Sequence, residues 1–328
     1  MNVRRLLNVA LPWVGLACIL LGAACLQTPE GQPVSAWFLT WDNARFLAAQ
    51  GIVTGLGALG MGLVLLSGGV DLSAGAAAAL SGICAALLLQ RGASAPAALG
   101  AGVLAGGILG LVNGSLAALL RVPAWILTLG TLAAAGGASE WIAAAPLPLP
   151  EGAGGLAAWV GPLPGVPWMP LAPGVWIVLL WAALLASLWR GSIFGRHAAA
   201  LGSSESAARL CGVPVRRTKA LVYILAGFCF GLAGVAQAAA VGQAAPSSAG
   251  SAGLALEWIA AAVIGGVRLG GGAGSVFGAL LGALVLTVLR NACQQAGWPV
   301  PLQEIILGGF LLAAVALDRL RHEASFEP

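Results

Sequence analysis

Apolar runs of about 20 residues recur along the chain, the length a helix needs to cross roughly 30 Å of hydrocarbon at about 1.5 Å per residue. Between turn-rich or charged punctuation these runs occupy residues 6–26, 46–66, 72–90, 96–119, 123–143, 173–189, 219–241, 254–267, 273–290 and 303–318. Of the 328 residues, 59% are apolar and 8% charged, against about 25% charged in average globular proteins. So much apolar surface precipitates unless lipid covers it, which excludes a soluble fold. Glycines stand at short intervals within the runs, as at Gly51, Gly55, Gly57, Gly60 and Gly62, so helix backbones can approach closely where no hydrophobic force drives them together. The expected fold is all-α: a polytopic membrane helical bundle of about ten transmembrane segments forming a single domain over residues 1–328.

Ten spans return the chain to its starting side. With the N-terminus inside, the cytoplasmic ends and loops carry Arg4, Arg5, Arg121, Arg190, Arg196, Arg209, Arg216, Arg217, Lys219, Arg268, Arg319 and Arg321, and the outer side only Arg45, Arg91 and Arg290. That is the asymmetry of the positive-inside rule, so the net charge of +4 reads as orientation and implies no nucleic-acid partner. Both termini are expected to be cytoplasmic. The first run is taken as an uncleaved span, because Ala23-Ala24-Cys25 is a poor signal-peptide cleavage site. Outside, residues 146–173 hold eight prolines and no Lys or Arg, a stiff loop. Trp141, Trp159, Trp168 and Trp176 beside it suit the headgroup level. The six cysteines lie in apolar stretches without CxxC or Cys/His spacing and read as small hydrophobes, with no disulfide or metal site implied.

Residues 190–219 form a large basic cytoplasmic loop. Within it Ser203 or Ser204 can cap a short helix through Glu205, Ala207, Ala208 and Arg209 that ends at Gly212-Val213-Pro214. Its spacing fits a docking surface for another protein and contact with anionic headgroups of the membrane lipid equally well. A second feature is an internal echo: Gly68–Gly75 and Gly265–Gly272 share the form GGVxLxxG, each at a break between apolar segments. Duplicated, glycine-interrupted segments point to a transporter fold built from structural repeats with broken helices lining a path or gate. Gly69, Asp71, Ser73, Gly266 and Arg268 are therefore candidate path or gate residues, together with the polar Asn113, Thr128 and Glu257. Asp71 and Arg268 hold matching positions and either pair across the repeat or snorkel separately to the headgroups; a lone charge at mid-membrane costs roughly 2.5–3.5 kcal/mol on insertion scales.

At these residues the chain resembles a known family. SGGVDLSAG at 67–75, VPAWILTLGT at 122–131, FGRHAAALGSSESAARLCGVPVRRTKALVY at 194–223 and IAAAVIGGVRLGGGAGSVFGALLGALVL at 259–286 fall in the order found in permease subunits of bacterial ATP-binding-cassette importers for monosaccharides, the ribose, xylose, arabinose and galactoside group. The resemblance covers about residues 46–318. It implies a permease domain in the bacterial cytoplasmic (inner) membrane, working beside a second permease copy, an ATPase subunit and an extracytoplasmic solute-binding protein. It further implies that Gly195, Arg196, Leu201, Gly202, Glu205, Ala207, Ala208, Arg209 and Gly212 couple the chain to that ATPase. Two departures stand out. Ser206 replaces the usual Ala, and Trp258 replaces an Asp that commonly follows the residue equivalent to Glu257, which changes what can contact a hydroxylated solute there.

The chain has a single lysine, Lys219, and no GxxxxGK[ST] motif to cradle nucleotide phosphates. If transport is ATP-driven, ATP and Mg bind a separate polypeptide and this chain needs no cofactor. His197 and His322 lie in basic cytoplasmic segments, and no catalytic or metal cluster is visible. Asp71, Glu140, Glu257, Glu304 and Asp318 fall at or near predicted span ends, which speaks against ion coupling and for a neutral or weakly polar solute. Asn113, Thr128, Gln237 and Gln243 can bond solute hydroxyls or neighbouring helices. An independent secondary carrier or facilitator is the competing reading.

Overall fold

A computed structural model of the chain describes residues 38, 40–120, 122–150, 154–161, 171–247 and 250–323. The first predicted span, Arg121, Trp168 and part of the proline-rich loop lie outside the described residues. Each remaining predicted run coincides with a helix. These are α1 (Trp41–Leu66), α2 (Ala74–Gln90), α3 (Ala95–Leu119), α4 (Ala124–Ile142), α6 (Pro173–Gly191), α9 (Val215–Val241), α10 (Gly250–Ile264), α11 (Val276–Gln295) and α12 (Val300–Glu323). The short α5 (Gly154–Val160) lies in the proline-rich segment, and α7 (Ile193–Ser203) and α8 (Glu205–Leu210) lie in the basic loop. By length and composition α1, α3, α6, α9 and α11 can cross a membrane, while α2, α10 and α12 contain shorter apolar stretches. Among the described residues the only strands are an antiparallel pair of two residues each, β1 (Leu147–Pro148) and β2 (Gln243–Ala244). That pair pins the proline-rich loop to the end of α9, helped by Gln90 Nε2 donating to the Pro148 carbonyl at 3.0 Å.

Local chemistry sets the helix limits. Thr40 Oγ1 accepts the Asn43 N–H at 3.2 Å and caps α1. Ser275 Oγ accepts the Gly278 N–H at 2.8 Å and caps α11. Pro96 and Pro173 stand in the first turns of α3 and α6, where a missing N–H costs nothing.

The core is built around α1 and α9. Nearly every residue of α1 from Thr54 to Leu66 is buried, and α9 packs chiefly against α3, then α1 and α2. Glycine decides this packing. Gly102, Gly106, Gly110 and Gly114 recur at every fourth residue of α3, where side chains share one face. A Cβ on Gly110 would overlap the Tyr223 carbonyl of α9, and one on Gly227 would overlap the Gly106 carbonyl. Backbone meets backbone, the small-residue packing that membrane bundles use. The same device joins α10 to α11 through Gly265, Gly278 and Gly282. Outward, α3, α4 and α6 expose large apolar side chains such as Ile108, Trp125 and Leu180. Of the predicted headgroup tryptophans, Trp141 and Trp176 are exposed, but Trp159 is buried in the core, 7% accessible.

Candidate functional site

Both glycine breaks end a helix in the same way. After α1, Gly68 takes φ 82°, its N–H donates to the Leu65 carbonyl at 2.8 Å and the Gly69 N–H to that of Val64 at 3.0 Å. After α10, Gly266 takes φ 84°, its N–H donates to Val263 at 2.9 Å and the Val267 N–H to Ala262 at 3.0 Å. Each is a Schellman stop, whose left-handed residue suits glycine. The structural match runs one residue out of step with the sequence echo: Gly68 corresponds to Gly266, not to Gly265. Asp71 and Arg268 are thus not equivalent, and no ion pair joins them.

Asp71 does not reach the headgroups. It is 2% exposed, and its Oδ1 accepts the Ser73 N–H at 2.9 Å and the Ser73 hydroxyl at 2.6 Å. Asn113 Nδ2 of α3 donates to Asp71 Oδ2 at 3.2 Å and to Ser73 Oγ at 2.8 Å. From α4, Thr128 Oγ1 accepts the Leu72 N–H at 3.1 Å. The structure therefore gathers Gly69, Asp71, Ser73, Asn113 and Thr128 into one buried polar knot that fixes the break and starts α2. Two buried polar atoms at its edge have no hydrogen-bond partner among the described residues, Asn113 Oδ1 and Tyr223 Oη. Tyr223 was not foreseen as a site residue; its closeness to Gly69, whose Cβ would lie 2.6 Å from the hydroxyl, is a tertiary fact.

Glu257 sits apart. It lies midway along α10, not at a helix end, where its side chain is 8% exposed. Its Oε2 pairs with Arg290 Nη1 of α11 at 3.1 Å, its Oε1 accepts the Thr54 hydroxyl at 3.3 Å, and Arg290 Nη2 reaches Glu304 of α12 at 3.6 Å. The neighbouring Trp258 points the other way. It is wholly buried, stacked on Phe230 with ring centroids 5.6 Å apart, over Gly57, whose Cβ would overlap the indole. The indole that stands in place of the family's Asp is a core residue, and neither cavity described below includes it.

The basic loop is mostly helical. Ser192 Oγ accepts the Gly195 N–H at 3.0 Å and caps α7. Ser204 Oγ accepts the Ala207 N–H at 3.3 Å and caps α8, while Gly212, φ 79°, follows its end. Burial pushes the Glu205 carboxyl up, but Lys219 at 2.6 Å and Arg209 at 2.9 Å outweigh it and hold its pKa below the ordinary value. The residues that the resemblance marked for coupling divide between two faces. Gly195, Leu201, Gly202 and Ala208 turn inward, whereas Arg196, Ala207, Arg209 and Gly212 are open, with Glu205 half-buried between them. Leu210, absent from the sequence-based set, is 89% exposed at the tip.

The inward face joins the loop to both breaks. A Cβ on Gly202 would overlap the Leu66 carbonyl that ends α1, and one on Gly271 would lie 2.6 Å from Gly68 Cα. The Gly272 N–H donates to that same Leu66 carbonyl at 3.1 Å. Only glycines fit this three-way junction of backbones.

Two cavities flank the ends of α9. One, of about 610 Å³, lies beneath α8, lined by Gly68, Gly69, Gly202, Glu205, Lys219 and Tyr223 among others. The other, of about 390 Å³, lies under β2 and is lined by Gly75, Gly82, Gln237, Gln243, Glu257 and Arg290 among others. Among the described residues no group of three His, Cys, Asp or Glu side chains is placed to hold a metal.

Comparison with known proteins gives this arrangement a family. Residues 43–315 match the family described as branched-chain amino acid transport system / permease component. The chain is similar to the L-arabinose ABC transporter permease protein AraH of Azospirillum brasilense, 34% identical over 87% of this chain and 82% of the relative. It is equally similar to the D-allose transport system permease protein AlsC of Escherichia coli K12, 34% identical over 87% and 85% of the two chains. The ribose import permease protein RbsC of the same strain is 34% identical over 86% and 87%. No solved structure matches the chain. The family match and these relatives span most of its length, and the chain belongs to the family of branched-chain amino acid transport system permease components.

Proposed function

We propose that this chain is the translocation subunit of an ATP-binding-cassette importer that moves a monosaccharide inward across the bacterial cytoplasmic membrane by alternating access. The observation that carries the reading is identity of 34% with arabinose, allose and ribose permeases along nearly the whole chain. About ten spans, with both termini cytoplasmic, complete the bundle. It acts with a second permease copy, an extracytoplasmic solute-binding protein and an ATPase subunit that holds ATP and Mg.

In this reading α8 and the outward residues Arg196, Glu205, Ala207, Arg209, Leu210 and Gly212 meet the ATPase. Gly195, Leu201, Gly202 and Ala208 carry the displacement inward. The Gly202 junction touches both breaks at once, so a shift of the loop cannot move one without the other. Gly69, Asp71, Ser73, Asn113 and Thr128 form the inner closure, with Gly266 and Arg268 at the second break.

The family description favours a second solute class, branched-chain amino acids. Reconstitution with its ATPase and binding protein separates the two readings. Proteoliposomes should take up D-ribose, L-arabinose or D-allose when ATP is supplied on the ATPase side. Uptake of L-leucine in place of every sugar would overturn the monosaccharide reading, and sugar uptake without the ATPase would overturn the importer.

A further inference from the structure

We propose that the 390 Å³ cavity between α2, α9, α10 and α12 is a weak binding site for a neutral polyol of monosaccharide size, its hydroxyls taken by Gln237 and Gln243. The inference rests on the importer reading for its role but on this cavity alone for its chemistry.

The volume lies within the roughly 300–1,000 Å³ of small-ligand pockets. One cation stands between two carboxylates on its wall: Arg290 spans Glu257 at 3.1 Å and Glu304 at 3.6 Å. An anionic solute meets the surplus carboxylate or must take Arg290 from its partners, whereas a neutral one can use the lone pairs that remain. Gln237 and Gln243 are uncommitted, with no side-chain hydrogen bond to another described residue. Each carboxamide offers two donors and one acceptor oxygen, the mixed set that a run of hydroxyls needs.

The rest of the wall is smooth. Gly75, Ala78 and Gly82 of α2 face Gly234 and Ala238 of α9, and among the described residues no aromatic ring lines the cavity for a sugar to stack on. Without stacking, binding is weak and release is fast, as a path requires. The cavity also ends where a gate is needed. Gly75 lines it and Gly69 lines the cavity beneath α8, so the buried Asp71 knot stands between the two.

The test is saturation-transfer NMR on the full chain in lipid nanodiscs, with D-ribose, L-arabinose, D-allose and L-leucine as probes at millimolar concentration. At least one sugar should give signal that L-leucine does not displace. Gln237→Leu and Gln243→Leu should each lower it about fivefold, the order of one lost hydrogen bond. Ala240→Leu, exposed on α9 and away from the cavity, should leave it unchanged. Gln243 is itself exposed, so its variant should remain folded. No sugar signal from the wild-type chain, signal undiminished in both glutamine variants, or displacement by L-leucine overturns the proposal. Uptake by the assembled complex is read separately. Sugar uptake with none of these NMR effects removes the cavity and leaves the importer, whereas cavity binding without uptake removes the importer and leaves the cavity.

Discussion

Glu205 shows how one residue can hold a contact surface together. Its carboxylate bridges Arg209 on α8 to Lys219 on α9, among the described residues the one ion-pair strut between the loop tip and the bundle. Glu205→Lys puts three cations together there and is expected to lower coupled uptake at least tenfold, while the melting temperature in detergent stays within a few degrees because the site is on the surface. Normal uptake by that variant would exclude the coupling role. The pH response has a definite sign: since the folded-state pKa is lowered, the strut is complete above the ordinary value of 4.5 and is lost as pH falls through the lower, folded value. Binding-protein-stimulated ATPase activity should therefore hold through pH 4.5 and fall only at lower pH, a loss that Glu205→Gln makes constitutive. Trp258 makes the opposite case. Because it is buried against Phe230 over Gly57, Trp258→Ala is expected to destabilise the fold by about 3–5 kcal/mol, read as a lowered melting temperature. Trp258→Phe should cost less and leave solute preference alone. A change of preference with intact stability would return the indole to the path.

At the scale of elements, glycine positions separate packing from mechanism. Gly110 lies against the Tyr223 carbonyl, whereas Gly100 of the same helix has open space around it. Gly110→Val is thus expected to abolish the monodisperse peak in size-exclusion chromatography, and Gly100→Val to keep it. Gly202→Ala strikes the junction of α7 with both breaks, while Gly191, with nothing nearby, is its control. The Gly202 variant should bind the ATPase subunit yet lose most of its uptake, because the loop can no longer seat against Leu66 and Gly272. Uptake equal to that of Gly191→Ala would show that the junction transmits nothing.

For the whole molecule, the proposed transport axis runs from one cavity to the other. Tyr223 and Gln237, one on each cavity, are separated by about four turns of α9, or roughly 21 Å. A tag inserted near residue 155 should be labelled from outside, and one near residue 204 only after permeabilisation. The reverse pattern would invert the assignment of outer and inner cavities.

Much of this was legible from residue order. The run at 96–119 became α3 at Ala95–Leu119, Ser204 caps α8 as its hydroxyl and position suggested, and the glycine pairs do end helices. These features are local: capping, chain length and left-handed backbone depend on a few neighbouring residues. Other features needed the fold. Sequence spacing aligned the two breaks one residue out of step, placed Glu257 near a span end, and left α7 inside a loop. Nor did the runs alone fix the extent of each helix: among the described residues five helices are long and apolar enough to cross a membrane.

The chain by itself determined its apolar character, its helices and the neighbourhoods of its breaks, because hydropathy and caps are written one segment at a time. Tertiary structure alone decided which apolar face meets protein and which meets lipid, because both surroundings are equally apolar and leave no periodic mark. The burial of Trp258, the convergence of Gly68, Gly202 and Gly271, and a cavity walled by glycine and alanine all follow from that choice of faces.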